Sequence, residues 1–268
     1  MNLASLPMYD LPELADATSA WWSGLASHMR REGLNDVPDT MMRPDDLHQH
    51  WLARNLLFSQ TCGFPLTHAL RTRVQLVGLP VYACEGCDPD GFYSSMIIVP
   101  ASSNIYSLVD CRRARAVYNT SDSMSGLLAL RMAASEASRK STGPSFTSVS
   151  MSGGHRASIQ HVADGRADIA CIDAVTFALL SRLDPCLVSG VRVLGQTRKV
   201  PGLPYITSLL TTSDEVQRLR SALRNAVEDS ALAGARAELL ISGATFPNIS
   251  NYDIILELEA AASHIKLP

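Results

Sequence analysis

A run of hydroxyl side chains interrupts the apolar pattern of the chain at residues 118–127. An apolar stretch ends there, and a turn carrying Ser121, Ser123 and Ser125 leads into residues with helical spacing. The first turn of a helix leaves backbone N–H groups unpaired and carries about half a positive charge. Such a turn can hold an oxyanion with its amides and hydroxyls. A serine at a helix start is also typical of a simple N-cap, so both interpretations stay open.

The segment of residues 150–158 repeats this arrangement, with a strand pattern, a Ser/Gly turn and a helix whose first turn holds His155. The positive end of the helix dipole disfavours a protonated histidine there. We therefore expect a neutral His155 that can donate to a bound oxyanion, with a surface or capping histidine as the alternative. Arg156 could supply charge, but we expect it to point to solvent.

Asp173 follows a third apolar strand pattern and precedes another helix pattern. This position brings a carboxylate to the same edge as the first two turns. A carboxylate beside an anion suits a ligand that retains a proton or carries an ammonium group. The alternative is that Asp173 only caps the helix.

Short apolar runs alternate with amphipathic stretches along the chain, which is typical of an α/β protein. A first series begins with a strand at residues 1–8, and a helix from Pro12 to Gly33 follows, whose apolar face includes Leu14, Trp21 and Met29. The predicted strands of this series are residues 1–8, 37–42, 55–59, 74–82 and 93–100.

A second series follows a crossover at residues 101–104, and the chain then returns. The predicted strands are residues 115–119, 147–151, 169–172 and 191–197. The predicted helices are residues 125–137, 155–163 and 174–181, with a loop at residues 141–145. A strand at residues 205–210 rejoins the first series, and Thr212 opens a helical C-terminal third with a capping box. The pattern predicts one lobe of residues 1–100 and 203–268, a second lobe of residues 101–202, and a ligand cleft between the lobes.

The composition excludes several functional classes. Lys and Arg number 23 against 26 Asp and Glu, and the net charge of −3 argues against a nucleic-acid-binding protein. No apolar run approaches the ~20 residues of a membrane span. Six cysteines are too scattered for a disulfide scaffold. Cys84 and Cys87 have the spacing of a zinc or redox motif, but they lack the further ligands of a zinc site and do not open a helix as a thioredoxin motif would, so no metal or cofactor is expected. A structural disulfide and ordinary thiols stay open for this pair. The first seven residues show no export signal.

The motifs, taken together and in order, resemble the phosphate/phosphite/phosphonate substrate-binding proteins of ABC importers. The resemblance covers nearly the whole chain: residues 123–126, residues 154–158, residues 165–168 with Asp173, residues 201–205 and residues 6–9. It implies the type II periplasmic-binding-protein fold, a two-lobed α/β architecture with the ligand cleft between the lobes.

The resemblance also implies a set of ligand-binding residues. The hydroxyls and amides that bind the phosphoryl group correspond to Ser123, the backbone N–H of Met124, and Ser125. The ligand-contacting histidine and tyrosine correspond to His155 and Tyr93. Tyr9 and Asp173 correspond to further positions that line the cleft, and Tyr205 belongs to a matching motif. The residues themselves add candidates: Ser121 as a donor in the serine-rich turn, and Gln60 and Thr61 at the end of a predicted strand of the first lobe.

The implied function is non-catalytic binding of a small phosphorus oxyanion as the solute-binding component of an ABC-type uptake system, with an ABC permease as partner. The resemblance implies a periplasmic location, whereas the chain as encoded, without an export signal, would be cytoplasmic. The alternative is a cytosolic enzyme or ligand sensor on the same fold, acting on a small carboxylate or phosphorylated metabolite with Asp173 or His155 as a base. The chain has no Gly-x-Ser-x-Gly elbow, Walker A loop or HExxH motif to support an enzyme.

Overall fold

The chain forms two units in a computed structural model that describes residues 2–140, 146–265 and 267. The first unit comprises Met1–Ala83, Asp88–Phe92 and Pro201–Tyr252. The second unit comprises Cys84–Cys87, Tyr93–Val200 and Asp253–Pro268.

The helices and strands alternate over most of the chain. The helices are α1 (Ala15–Arg31), α2 (Leu47–Trp51), α3 (Gly63–Thr67), α4 (Ala129–Lys140), α5 (His155–Ala163), α6 (Ala174–Leu183), α7 (Pro185–Ser189), α8 (Ser213–Glu228), α9 (Ala233–Glu238) and α10 (Asp253–Ala262). The strands are β1 (Leu3–Ala4), β2 (Leu56–Gln60), β3 (Val74–Tyr82), β4 (Phe92–Tyr93), β5 (Ser95–Pro100), β6 (Arg115–Tyr118), β7 (Ser148–Met151), β8 (Ile169–Asp173), β9 (Val191–Gln196), β10 (Val200–Pro201), β11 (Tyr205–Ser208) and β12 (Ile241–Thr245).

The first unit is built on a five-stranded sheet in the order β1-β2-β11-β3-β12. Strand β11 runs antiparallel to β2 and β3, so the predicted return of the chain to the first series is confirmed. Helix α1 packs against α8 and α9. Its predicted apolar face is confirmed, since Leu14, Trp21 and Met29 are each at most 2% exposed.

The second unit is built on another five-stranded sheet, in the order β7-β6-β8-β5-β9. Strands β7, β6 and β8 are parallel, whereas β5 runs antiparallel to β8 and β9. The core beneath helix α4 is apolar and includes Ile97, Leu130 and Ile169. The short strands β4 and β10 pair with each other.

The division of the chain differs from the predicted lobes of residues 1–100 with 203–268 and of residues 101–202. Strand β5 belongs to the second unit because its partners β8 and β9 lie there. Helix α10 also belongs to the second unit, because it packs against α4.

One further prediction of secondary structure was wrong, and one strand was missed. Residues 37–42 form an irregular segment with a bend rather than a strand, because Asp36 has a positive φ of 53° and Pro38 has no N–H to donate. Strand β12 was missed, because its short sequence with a central glycine carries little strand signal. The predicted loop at residues 141–145 lies outside the described residues. Within the described residues, no helix combines the length and apolar character needed to cross a membrane.

Candidate functional site

The candidate site lies at one edge of the sheet in the second unit. Strands β6, β7 and β8 are parallel, so their carboxyl ends meet at the same edge. Strand β5 begins at that edge, where Ser95 is opposite Asp173. The sheet therefore places two groups of residues on one side of the unit. They are the residues that follow β6, β7 and β8, and Tyr93, which precedes β5.

The hydroxyl-rich segment after β6 forms a single π-helical turn, Met124–Leu128, that continues into α4. Ser123 is its N-cap, and the Ser123 Oγ accepts a hydrogen bond from the Gly126 N–H at 3.0 Å. The amides of Met124 and Ser125 fall in the first turn, where backbone N–H groups have no intrahelical acceptor. The predicted helix of residues 125–137 thus begins with a π turn, a feature often found at functional sites.

The turn after β7 is fastened to the end of β6. The Ser152 N–H donates to the Tyr118 carbonyl at 2.8 Å, and the Gly153 N–H donates to the Asn119 carbonyl at 2.9 Å. Gly153 has a φ of 90°, a conformation that glycine adopts without strain. Helix α5 then begins at His155, as predicted, and the turn holds this residue beside the segment that follows β6.

Ser125 and His155 face each other directly. The Ser125 Oγ lies 2.9 Å from the His155 Nε2, and the Asn119 Nδ2 lies 3.3 Å from the same nitrogen. The structure thus brings together two of the predicted site residues and adds Asn119, which the sequence analysis did not select. The available signal was its position between the last residue of β6 and the serine-rich turn.

His155 is neutral at pH 7. Burial disfavours the charged imidazolium and lowers the pKa of His155 to about 4. The start of α5 acts in the same direction through its helix dipole. The side chains that contact the ring, Ser125 and Asn119, are uncharged, so the cluster offers dipoles rather than a net charge.

Two buried polar atoms of this cluster have no hydrogen-bond partner among the described residues: the His155 Nδ1 and the Asn119 Oδ1. A buried polar atom without a partner costs about 1–3 kcal/mol. Gly126 makes the arrangement possible, because a Cβ there would lie 1.8 Å from the Asn119 Oδ1. The chain therefore maintains a costly local arrangement, as expected where a ligand supplies missing partners.

The other predicted residues of the second unit occupy different environments. Asp173 is buried and caps α6, since its Oδ1 accepts from Val175 N at 2.8 Å and Thr176 N at 3.0 Å. Tyr93 is only 2% exposed. Ser121 is exposed, whereas Ser125 is buried and Asn119 and His155 are half-buried.

Arg156 was expected to point to solvent; its side chain is 37% exposed, and it forms a surface ion pair in which the Arg156 Nη1 lies 3.3 Å from the Asp184 Oδ2. Its charge is thus directed to the start of α7.

The predicted residues of the first unit form a separate group. Tyr9, Gln60 and Tyr205 line a cavity of about 20 Å³, which has room for little more than a water molecule. Both amide hydrogens of Gln60 are used, by the Tyr82 Oη at 3.1 Å and the Leu203 carbonyl at 3.0 Å. The buried Tyr205 Oη accepts from the Trp21 Nε1 at 3.2 Å, and burial raises the pKa of Tyr205.

Thr61 is fully buried, and its N–H donates to the Pro204 carbonyl at 3.1 Å.

Among the described residues of both units, no group of three or more His, Cys, Asp or Glu side chains could hold a metal ion.

The sequence matches a family model described as the periplasmic substrate-binding protein of the ABC phosphonate transporter, over residues 61–252. This match covers the π turn, His155 and the strands that carry them. No curated protein matches the sequence.

Solved structures share the architecture over nearly the whole chain. PhnD1 from Prochlorococcus marinus, in complex with methylphosphonate, is 14% identical with a TM-score of 0.76, over 98% of both chains. A binding protein component of an ABC phosphonate transporter from Pseudomonas aeruginosa is 15% identical with a TM-score of 0.74, over 98% of this chain and 86% of the other. A Xanthomonas citri protein bound to chloride ion is 16% identical with a TM-score of 0.72, over 98% and 97%. The similarity confirms the predicted type II periplasmic-binding-protein fold.

Proposed function

The chain belongs to the periplasmic substrate-binding protein family of ABC phosphonate transporters, and on this basis we propose that it binds a small phosphorus oxyanion at the Ser125–His155 pair. The ligand class is phosphate, phosphite or phosphonate, and the partner that receives it is an ABC permease. The family consists of substrate-binding proteins, so the role is solute binding rather than catalysis.

The observation that carries the proposal is the convergence of Ser125, His155 and Asn119 beside the first turn of a helix. With Asn119 Nδ2 as a donor, the His155 Nε2 is an acceptor at 3.3 Å. The ring proton then resides on Nδ1, the buried atom without a partner among the described residues. The Ser125 hydroxyl then also donates to the His155 Nε2, at 2.9 Å. An oxyanion would accept from the Nδ1–H, from the amides of the π turn and from the Ser123 hydroxyl.

Uncharged donors suffice for an anion in such a site. Each charge-assisted hydrogen bond contributes about 1.5–3 kcal/mol, and several together replace the hydration of a tetrahedral anion. The net charge of −3 opposes binding little, because exposed charges more than about 10 Å away are screened. Ser123 and Met124 are proposed to contribute from the same turn, and Tyr9, Tyr93 and Asp173 remain proposed further contacts.

Titration calorimetry on folded, ligand-free protein tests the ligand class. The ligands are phosphate, phosphite, methylphosphonate and 2-aminoethylphosphonate, with sulfate as a tetrahedral anion of another element. We expect saturable binding of at least one phosphorus oxyanion. If none of the four phosphorus oxyanions gives binding heat, and none displaces a bound ligand, the ligand class is falsified.

Substitution of His155 tests the site. We expect His155→Ala to weaken binding by about 10–100-fold, because one charge-assisted hydrogen bond is lost. The matched control is His161→Ala, in the last turn of the same helix, which should bind like the unchanged protein. Equal affinity of both variants would remove His155 from the site.

A further inference from the structure

Cys84 and Cys87 lie at the two ends of a tight turn in the second unit. The Cys87 N–H donates to the Cys84 carbonyl at 3.1 Å, and Gly86 has a φ of 89°. A glycine with positive φ at the third position of a four-residue turn is typical of type II. The two Sγ atoms are 3.4 Å apart, and both side chains are partly exposed.

The turn is fixed by its neighbours in the second unit. The Gly86 carbonyl accepts from the Ser94 N–H at 2.9 Å and from the Ser94 Oγ at 3.2 Å. A Cβ on residue 86 would lie 2.7 Å from the Ser94 Oγ and 2.9 Å from the Ala174 Cβ. The turn therefore fits closely against the starts of β5 and α6, and it holds the two thiols next to each other.

From this geometry we propose that Cys84 and Cys87 are a reversible dithiol–disulfide pair that is oxidised by a small-molecule disulfide. The turn keeps the two Cα atoms within the roughly 7 Å of a β-turn, a range that a disulfide can span. Rotation of the two side chains needs to shorten the distance between the Sγ atoms only from 3.4 Å to the ~2.0 Å of a disulfide bond.

The two thiols have unequal roles. The hydrogen bond from Cys87 lowers the pKa of Cys84, although burial and the nearby carboxylates of Asp173 and Glu85 oppose this. The same hydrogen bond, with burial, raises the pKa of Cys87, against the opposing charge of Lys199. We assign Cys84 as the attacking thiol and Cys87 as the resolving thiol, and serine variants distinguish this order from its reverse.

The exchange proceeds in two balanced steps. The Cys84 thiolate attacks one sulfur of the small disulfide, forms a mixed disulfide and releases one thiolate, which takes up the proton that Cys84 lost. The Cys87 thiolate then attacks the Cys84 Sγ and releases the second small thiol. The protein loses two electrons and two protons, and the small disulfide gains them.

The other cysteines of the second unit lack this combination of proximity and access. Cys111 and Cys171 are buried, and burial raises the pKa of Cys111 to about 12 and also raises the pKa of Cys171. Cys186 is exposed and provides an internal reference for an ordinary accessible thiol.

Peptide mapping after equilibration with glutathione tests the pairing. Folded, reduced protein is equilibrated with fixed ratios of reduced to oxidised glutathione, its remaining thiols are alkylated, and its peptides are analysed by mass spectrometry. We expect a Cys84–Cys87 disulfide, two fewer free thiols than the six of the chain, and full reversal by dithiothreitol. A disulfide from either residue to Cys62, stable glutathione adducts on both, or no reaction while Cys186 reacts would each overturn the proposal.

Serine variants test the assigned roles. We expect Cys87→Ser to retain glutathione on Cys84, and Cys84→Ser to react at Cys87 at least about 10-fold more slowly. Cys186→Ser, the matched control, should still form the disulfide. Equal rates for the first two variants would contradict the assignment of Cys84 as the nucleophile, while the mapping of the unchanged protein still decides the pairing. Neither experiment depends on the proposed ligand.

Discussion

The imidazole of His155 is placed where it can hydrogen-bond but cannot readily carry a charge. Its neighbours Ser125 and Asn119 are neutral, and its position at the start of α5 adds a positive helix dipole. In the proposed site, the ring Nε2 accepts from Asn119 and Ser125 while the Nδ1–H is left for the ligand, and the lowered pKa keeps the ring neutral over the physiological pH range. As a result, the free energy of unfolding depends on pH.

The stability of the ligand-free protein should fall as the pH decreases from 7 to 5. An unfolded chain binds a proton at a histidine below its usual pKa of about 6.5, whereas folded His155 resists protonation until its lowered pKa of about 4. The unfolded state then binds more protons than the folded state. The lowered pKa of His155 therefore reduces the free energy of unfolding by up to about 2 kcal/mol between pH 7 and pH 5. His50, whose pKa is also lowered by burial, adds to the effect.

Chemical denaturation at several pH values measures this dependence. His155→Gln should show a smaller loss of unfolding free energy between pH 7 and 5 than the unchanged protein. His161→Gln, in the same helix, should retain the full loss. The same pH dependence in all three proteins would contradict the neutral, buried ring.

Single residues were predictable where a sequence motif determines the local geometry. Ser125 and His155 begin helices after strands, so their meeting at one sheet edge followed from the pattern. Asn119 was not selected: its position after β6 was a signal, but its contact with His155 depends on the tertiary approach of the two turns, and its fit depends on Gly126. The buried hydrogen bond of His50 to the Ser5 Oγ at 2.9 Å was missed as well, because it joins distant parts of the chain.

At the scale of elements, the π turn Met124–Leu128 is the feature that sets the geometry of the candidate site. It leaves Ser123 as cap, presents Ser125 to His155, and brings Gly126 against Asn119. An ordinary α-helical start was expected, and a π turn is hard to read from the sequence because it results from tertiary packing.

Gly126→Ala should disturb this turn. The added methyl group would overlap the Asn119 Oδ1, at 1.8 Å, and we expect a loss of about 1–3 kcal/mol in unfolding free energy with weaker ligand binding. Gly234→Ala is the matched control, because it adds a methyl group in α9 where no atom lies within 4 Å. This control should be neutral or up to about 1 kcal/mol more stable. Equal stability of the two variants would show that Asn119 does not require the glycine.

The capping box of α8 was predicted from Thr212 and Glu215, and it is confirmed. The Glu215 N–H donates to the Thr212 Oγ1 at 3.3 Å, and the Thr212 N–H donates to the Glu215 Oε2 at 2.8 Å. Thr212→Ala should therefore lower the unfolding free energy by about 1 kcal/mol, and Thr212→Ser should restore most of it. Thermal denaturation measures this difference. An alanine variant with the same unfolding free energy as the unchanged protein would contradict a stabilising cap.

Elements with strong local signals were predicted closely, including β3 and α5 at their observed bounds. Residues 37–42 were wrong because apolar side chains there suggested a strand that Pro38 cannot complete. Strand β12 was missed because pairing with β3, rather than its own composition, makes it a strand.

At the scale of the whole molecule, the family and fold could be predicted, but the division of the chain could not. The order of the motifs along the sequence indicates the family. The assignment of β5 and α10 depends on their long-range partners β8, β9 and α4. No local pattern reveals such partners.

Ligand binding should stabilise the molecule by mass action. At a free ligand concentration of 100 Kd, a ligand that binds only the folded state adds about 2.7 kcal/mol to the unfolding free energy. We expect the best phosphorus oxyanion from calorimetry to raise Tm accordingly, and the same concentration to act much less on Ser125→Ala. An equal rise in Tm for Ser125→Ala would place the ligand elsewhere in the molecule.

Nitrogen NMR of the histidine rings during titration with methylphosphonate tests the role of His155 most directly. The His155 signals are assigned by their loss in His155→Gln and should show a neutral ring at pH 7 before ligand is added. The Nδ1 signal should then shift with the same midpoint as the calorimetric binding curve, while His161 stays unchanged. Saturation of the protein with no change at His155 would contradict a phosphorus oxyanion site at the Ser125–His155 pair.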